Sequence, residues 1–390
     1  MHSTDFSPDD WTPDETQATD RNSLDTRKSL SYWADVWRRF KQNKLSLFGL
    51  AILVLLIATA VFGPSLTKLS DSDQNLAFIH IPPLMNLYSL GGDTFVYLSP
   101  SMQVFEVSPK GRMLGLVPQI EDDMFSKRRV YELRGARIVV DYRKKPVALS
   151  DGSGTQLSVT RKNVWNRTYW FGTDAVGRDI FVRIVYGARI SMIIGFVASL
   201  MNLTLGIFYG GISGYLGGMA DNTMMRIIDI LRSIPRLLYV ILLMVVFGSG
   251  LLTVVIVIGL VDWLGMARIV RGQVLSIKHQ EYVLAARALG ANSRRILTRH
   301  LIPNAMGPII VQTTMNIPAA IFTEAFLSFV GLGVSAPQAS WGTLANNALS
   351  GFMSYPYEMF FPAAAICLTV LAFNFLGDGL RDAIDPRLRD

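Results

Sequence analysis

The stretch that decides the fold is LLYVILLMVVFGSGLLTVVIVIGLVDWLGMA, Leu237 to Ala267. It is almost continuously apolar. As one straight helix, its 31 residues would run ~46 Å at 1.5 Å per residue, more than a bilayer core of ~30 Å needs. Gly248-Ser249-Gly250 offers a turn at its middle, so two spans are predicted here. A soluble domain has no use for such a run, so the chain is expected to be an integral membrane protein.

Composition agrees. Half of the 390 residues are hydrophobic, only 17% are charged and the mean hydropathy is +0.32, apolar values for a soluble protein. The net charge of +7 does not argue for nucleic acid, because the basic residues flank the hydrophobic runs, where the positive-inside rule accounts for them. Cys367 is the one cysteine, so no intrachain disulfide and no cysteine metal site is expected. His2, His80, His279 and His300 show no ligand spacing and are expected at the surface; no metal is expected.

Outward from the decisive run, the next spans are predicted at about Ala305 to Val330 and Met359 to Leu376 on one side, and about Ile190 to Ile212 and Leu45 to Leu66 on the other. Six spans put both termini in the cytoplasm. Arg178, Arg183 and Arg189 precede the span at Ile190, and Asp221, Arg226, Asp229, Arg232 and Arg236 are read as the loop after it. Trp170, Trp263 and Trp341 are expected at membrane edges. Gly195, Ala198, Ser199 and Gly206 suit close helix packing.

Residues 1–26 hold seven acidic residues and one arginine and read as a disordered acidic tail. Residues 27–66 hold an amphipathic helix and the first span. In that helix Tyr32, Trp33, Val36, Trp37 and Phe40 form one stripe, and basic residues suit an inner membrane surface. Residues 67–168 alternate at Thr94 to Leu98, Arg137 to Asp141 and Gln156 to Thr160 between Gly, Pro and Asp turns. They read as a small, mainly β extracytoplasmic insert. Residues 169–380 form the core with five spans, and 381–390 a cytoplasmic tail.

Between the fourth and fifth spans, Arg268 to Arg299 carries seven Lys or Arg against Glu281 alone, and is placed in the cytoplasm. Within it EYVLAARALGANSRRILTRHLIP, Glu281 to Pro303, reads as helix, break, helix. Tyr282, Ala285, Ala286 and Leu289 recur at helical spacing. Gly290 suits a left-handed cap, Ser293 a capping role, and Ile296, Leu297, His300 and Leu301 a second face. Pro303 is expected to stop or redirect the chain.

Catalytic signatures are missing. The sequence contains no Gly-Lys pair and hence no phosphate loop, no H-E-x-x-H and no G-x-S-x-G. If ATP is used, another chain must bind it. Glu324 is the ionisable residue weighed within a span. The outer interface is the favoured placement, because that span ends soon after; the alternative is a protein-facing pathway or hydrogen-bonding position.

EYVLAARALG followed by RRILTRHLIPN resembles the cytoplasmic coupling motif of ATP-binding-cassette importer permeases, in the form of the dipeptide and oligopeptide permease family, C-type subunit. FGTDAVGRDIFVRIVYGARIS (Phe171 to Ser191), GYLGGMADNTMMRIIDILRSIP (Gly214 to Pro235), EAFLSFVGLGVSAPQASWGTL (Glu324 to Leu344) and NFLGDGLRDAIDPRLR (Asn374 to Arg389) resemble that family in the same order. In the general motif an acid directly precedes the Ala pair. Here Leu284 stands there and the acid is Glu281, a displacement familiar in the peptide branch. The insert is longer than is usual.

The resemblance implies an all-α polytopic membrane protein of six transmembrane helices, the type I ABC importer permease fold, with the β insert added. Glu281, Tyr282, Ala285, Ala286, Arg287, Gly290 and Pro303 would serve ATPase coupling, within coupling helices at 275–303. Gly172, Thr173, Asp174, Gly177, Arg178 and Asp179 would form the family's core motif. The chain would be a non-catalytic subunit that binds no cofactor, with ATP and Mg on separate ATPase subunits. Its partners would be a second permease subunit in a heterodimer, one or two ABC ATPases, an extracytoplasmic substrate-binding protein and membrane lipid, without nucleic acid. The location would be a bacterial or archaeal cytoplasmic (inner) membrane. Peptides would be the cargo; nickel chelates, sugars or other solutes suit the same architecture. A stand-alone secondary transporter would call for mid-membrane charges and inverted repeats.

Overall fold

The computed structural model describes residues 31–67, 69–91, 93–143, 147–334 and 338–384. The acidic tail, the start of the basic segment after it, and most of the C-terminal tail lie outside the described residues.

Helix α1, Tyr32–Gln42, is the amphipathic element. Its stripe divides. Val36 and Phe40 are buried against Ala383 and Ile384 near the chain's end, while Trp33 and Trp37 remain about half exposed. Asn43 then caps α2, Lys44–Leu66, by accepting from the amides of Leu45 and Ser46.

Among its described residues the insert contains nine strands in two antiparallel sheets. The first holds β1 (Leu84–Ser89), β2 (Phe95–Leu98), β3 (Val104–Val107), β4 (Met113–Leu116) and β9 (Val159–Trp165), in the order β4-β3-β2-β1-β9. The second holds β5 (Gln119–Asp123), β6 (Arg128–Leu133), β7 (Ala136–Asp141) and β8 (Ala148–Asp151) in sequence order. Arg134 and Gly135, at φ 51° and 83°, make the two-residue turn between β6 and β7, as a twisted hairpin favours. Both faces of β2 are covered. Phe95 and Tyr97 join Ile81, Met85 and Phe105, while Val96 joins Tyr131, Ile138 and Leu149. The strand expected from Gln156 begins at Val159 instead; Gln156 makes only an isolated bridge to Ser150.

The helical part follows: α3 (Ile180–Leu216), α4 (Gly218–Arg232), α5 (Arg236–Phe247), α6 (Leu251–Ile277), α7 (Glu281–Ala288), α8 (Ile302–Phe329), α9 (Trp341–Leu349) and α10 (Tyr357–Ile384). Five described helices are long and apolar enough to cross a membrane, and α4 with α5, bent by 80°, supplies a sixth if that pair is one span. The break at Gly248 to Gly250 falls where the sequence places it. However, α5 alone, of 12 residues, is only ~18 Å long. The residues read as a loop, Asp221 to Arg232, are the helix α4. Likewise α3 starts at Ile180, ten residues before the expected span, because Asp179 caps it and Arg183 finds a buried partner inside it.

Small residues make the close packing. A Cβ on Gly195 would lie 2.7 Å from Ile321 of α8, and one on Gly206 would lie 2.3 Å from Met266 of α6. Trp341 is buried in the protein rather than turned outward to a membrane edge. It is 1% exposed, in the core with Met192, Ile321 and Phe373, and its indole donates to the Ile184 carbonyl at 3.0 Å. Trp263 packs edge-on against Tyr209. Of the three tryptophans only Trp170 is exposed, beside Phe181.

Pro303 does not stop the chain. Ile296–Leu301 forms a π turn, and Pro303 sits at the first turn of α8, so Ser293–Phe329 runs on as one span. Proline lacks an amide donor and crowds the preceding turn; the wider π turn takes up that mismatch.

Candidate functional site

Helix α7 hangs from the membrane core by one residue. The chain leaves α6 at Ile277, turns through Lys278, His279 and Gln280, and α7 begins with the amides of Val283 and Leu284 both donating to the Gln280 carbonyl. Val283 is fully buried, packed with Val270 and Val274 of α6, Ile296 and Leu301 of the π turn, and Ala305 of α8. Glu281, Tyr282, Leu284, Ala285, Arg287 and Ala288 are exposed and Ala286 is partly covered. No ion pair among the described residues includes Glu281 or Arg287. Leu289 is 88% exposed. A short helix that shows apolar and charged side chains to solvent, and buries one, is built to be covered by something else.

Its end is fixed by backbone chemistry. Gly290 has φ +83° and donates to the Arg287 carbonyl, and the Ala291 amide donates to Ala286, both at 3.0 Å. These two bonds make a Schellman cap. Asn292, not Ser293, caps the following turn through its side chain, which accepts from the Arg295 amide at 2.8 Å. Ile296 and Leu301 are buried and Leu297 and His300 half-buried, so the second face forms as the spacing predicts.

Behind α7, a polar clamp ties three helices together. Arg271 of α6 donates to both carboxylate oxygens of Asp221 in α4, at 2.5 and 2.6 Å, and Ser213 of α3 donates to the same carboxylate. Lys278, at the start of the turn into α7, donates to the Gly214 carbonyl at 3.1 Å. The turn into α7 is therefore tied to α3 through Lys278, and α3, α4 and α6 are tied to one another. The sequence shows Asp221 and Arg271 but not that they meet.

The second predicted group lies at the other end of α3. Asp174 is buried and accepts from Arg178 Nε at 2.8 Å and Arg183 Nη1 at 2.7 Å, as well as from the Val176 and Arg178 amides. Gly177, at φ +73°, brings its backbone so close to Asn75 that a Cβ would lie 1.9 Å from that carbonyl. Gly172 abuts the Ile81 carbonyl and the Tyr357 ring in the same way. Thr173 accepts from the Ile81 amide at 2.8 Å, and its hydroxyl donates to the Phe78 carbonyl. Asp179 caps α3 by accepting from Phe181 and Val182. Burial pushes its carboxyl up to about 6, against the pull of those two amides. Together the six residues form a joint between insert and helices, remote in sequence from α7.

His80 belongs to this joint rather than to the surface. Its Nδ1 lies 2.5 Å from Glu358 Oε1, and its ring stacks on Tyr355 at 3.8 Å. Nothing in its spacing announces this. Glu324 is fully buried, within hydrogen-bond reach of Ser191 at 3.2 Å and Ser328 at 2.7 Å. The structure takes the protein-facing placement instead of the outer interface: Ser340 and Trp341, at the start of α9, hydrogen-bond to Ser328 and Ser191 around it.

Sequence reasoning missed Asp262. It sits inside the run that reads as apolar, and Arg236 Nη2 donates to it at 2.6 Å and to Thr323 at 2.8 Å. Among the described residues no group of three or more His, Cys, Asp or Glu could hold a metal ion.

Residues 31–83 match the family described as the N-terminal TM domain of oligopeptide transport permease C, and residues 202–390 match the binding-protein-dependent transport system inner membrane component. Among curated proteins, the chain is 42% identical over 364 residues to the oligopeptide transport system permease protein OppC of Bacillus subtilis, covering 93% of this chain and 92% of that one. The dipeptide transport system permease protein DppC of the same organism is 40% identical over 383 residues, covering 98% and 94%. DppC of Lactococcus lactis is 34% identical over 380 residues, covering 97% of each. Among solved structures, an inward-facing MetNI methionine ABC transporter aligns with 53% of this chain and 98% of its own, at 21% identity and a TM-score of 0.45.

Proposed function

Because the chain belongs to the permease-C family of binding-protein-dependent transport systems, we propose that it forms half of the membrane path of an ATP-driven importer of short peptides, and that α7 is where the ATPase docks. The relatives' names supply the peptide. The observation that carries the docking assignment is α7 itself, with Val283 buried, Ala286 partly covered and the other residues presented. ATP and Mg act on the partner ATPase subunits. Closure of those subunits pushes Glu281, Tyr282, Ala285, Ala286 and Arg287; Val283 and the Arg271–Asp221 clamp pass the displacement to the spans. The core is packed and so switches between inward-open and outward-open arrangements as rigid pieces.

α7 then lies in the cytoplasm with both termini, and the insert outside, where it and the Asp174 joint meet the binding protein and the second permease. Pro303 serves by ending the π turn behind α7 rather than by touching the ATPase.

The test is uptake of a labelled peptide by the transporter reconstituted with its second permease, ATPases and binding protein. Truncating the exposed face with Tyr282→Ala and Arg287→Ala together is expected to release the ATPase during purification and stop ATP-dependent uptake. Retention of both activities would refute the assignment.

A further inference from the structure

Helices α5 and α6 run back from the Gly248 to Gly250 turn, and Arg236 and Asp262 are each eleven positions from the helix ends beside it, Phe247 and Leu251. At 1.5 Å per residue that is ~16 Å, about half of a ~30 Å hydrocarbon core. With the Gly248 to Gly250 turn placed at the membrane surface, the ion pair lies near mid-membrane. The Asp262 side chain is nearly covered, but that of Arg236 is 43% exposed. A guanidinium so open at this depth does not face acyl chains; it faces protein or a water-filled path.

A cleft of about 330 Å³ opens there, at the break between α4 and α5, lined by Arg232, Pro235, Arg236, Tyr239, Asp262 and Asn316 among others. That volume is at the lower end for small-ligand sites, ~300–1,000 Å³. Both contacts of Arg236 use Nη2, and no other atom of its guanidinium has a hydrogen-bond partner among the described residues. Arg232 is exposed and in no ion pair among the described residues. The Asn316 carbonyl oxygen is taken by Gln312, which leaves its amide N–H groups as the donors.

We propose that this cleft is a recognition point for the peptide C-terminus inside the path, where the free edge of the Arg236 guanidinium, with Arg232 and the Asn316 amide, takes the carboxylate while Asp262 keeps Nη2. The proposal rests on the chain being a peptide permease. An empty path must not leave an unpaired charge in a poorly solvated site, and the internal pair prevents that. A carboxylate arriving at the free edge finds a guanidinium already held in place by Asp262 and Thr323, so binding needs no rearrangement of the pair. The rigid α5–α6 hairpin holds the two charges at equal depth.

The experiment reconstitutes the full transporter with its ATPases and binding protein in liposomes. It compares uptake of trialanine with uptake of its C-terminal amide, using the same binding protein throughout. Failure of the wild type to take up trialanine would sink the peptide-importer assignment itself. With wild-type uptake present, Arg236→Gln is expected to lower the acid-to-amide uptake ratio by about tenfold, the loss of one charge-assisted hydrogen bond. Arg236→Lys is expected to keep most of the preference. An unchanged ratio, or equal loss for acid and amide, would overturn the proposal in favour of a strut. If Arg236→Gln does not fold, Asn316→Asp adds a negative charge beside the pair and is expected to slow the acid selectively; an unchanged ratio in that variant also overturns it.

Discussion

A Cβ on Gly290 would meet nothing within 4 Å, so that position acts purely through its φ of +83°. Gly290→Val is expected to destabilise the α7 cap by about 1–2 kcal/mol, and Gly290→Asn by less, read as faster amide exchange over 281–291. Asp174 works the opposite way, through partners. Asp174→Ala leaves Arg183, only 4% exposed, without its counter-ion and should cost about 3–5 kcal/mol in thermal unfolding. Asp179 adds a pH signature. Its carboxyl is raised in the fold, so the stabilisation is fully present below the unfolded value, near 4, and disappears as pH climbs through about 6. Asp179→Asn should therefore gain on the wild type at pH 8 and lose that advantage by pH 4. Gly290 was legible because its signal is local. Val283 and Asp262 were not, since one is defined by helices brought from elsewhere and the other is masked by apolar neighbours.

Elements differ in legibility for the same reason. The amphipathic α1, the turn at Gly248 to Gly250 and the β insert are visible as period or punctuation. The π turn is not, because Pro303 signals a disruption without saying how it is absorbed. Nor is the 80° bend before α5, where a helix continues what reads as a loop. α7 tests element-level reasoning directly. Val283→Ala removes about two methylene equivalents from the cluster under it and should cost about 2 kcal/mol. The expected symptom is local: protease cleavage at Arg287 should accelerate while melting of the spans shifts little. Uniform destabilisation would show that α7 is not a separately hung element.

Across the whole molecule, the two sequence-visible groups sit at opposite ends of α3, joined by a helix of 37 residues. At one end the Asp174 joint holds the insert. At the other, Asp221 and Arg271 clamp the base of α7. Between them lies the Arg236–Asp262 ion pair, at the bent pair of helices α4 and α5. That arrangement suits a lever that receives force at one end and meets cargo farther along. The most direct test is Ala286→Trp, introduced at the partly covered position of α7, in the reconstituted assembly with its ATPases and binding protein. The account predicts that the variant inserts and melts as the wild type does, while ATP-dependent uptake and binding-protein-stimulated hydrolysis fall together to background. Uptake at the wild-type rate would contradict it.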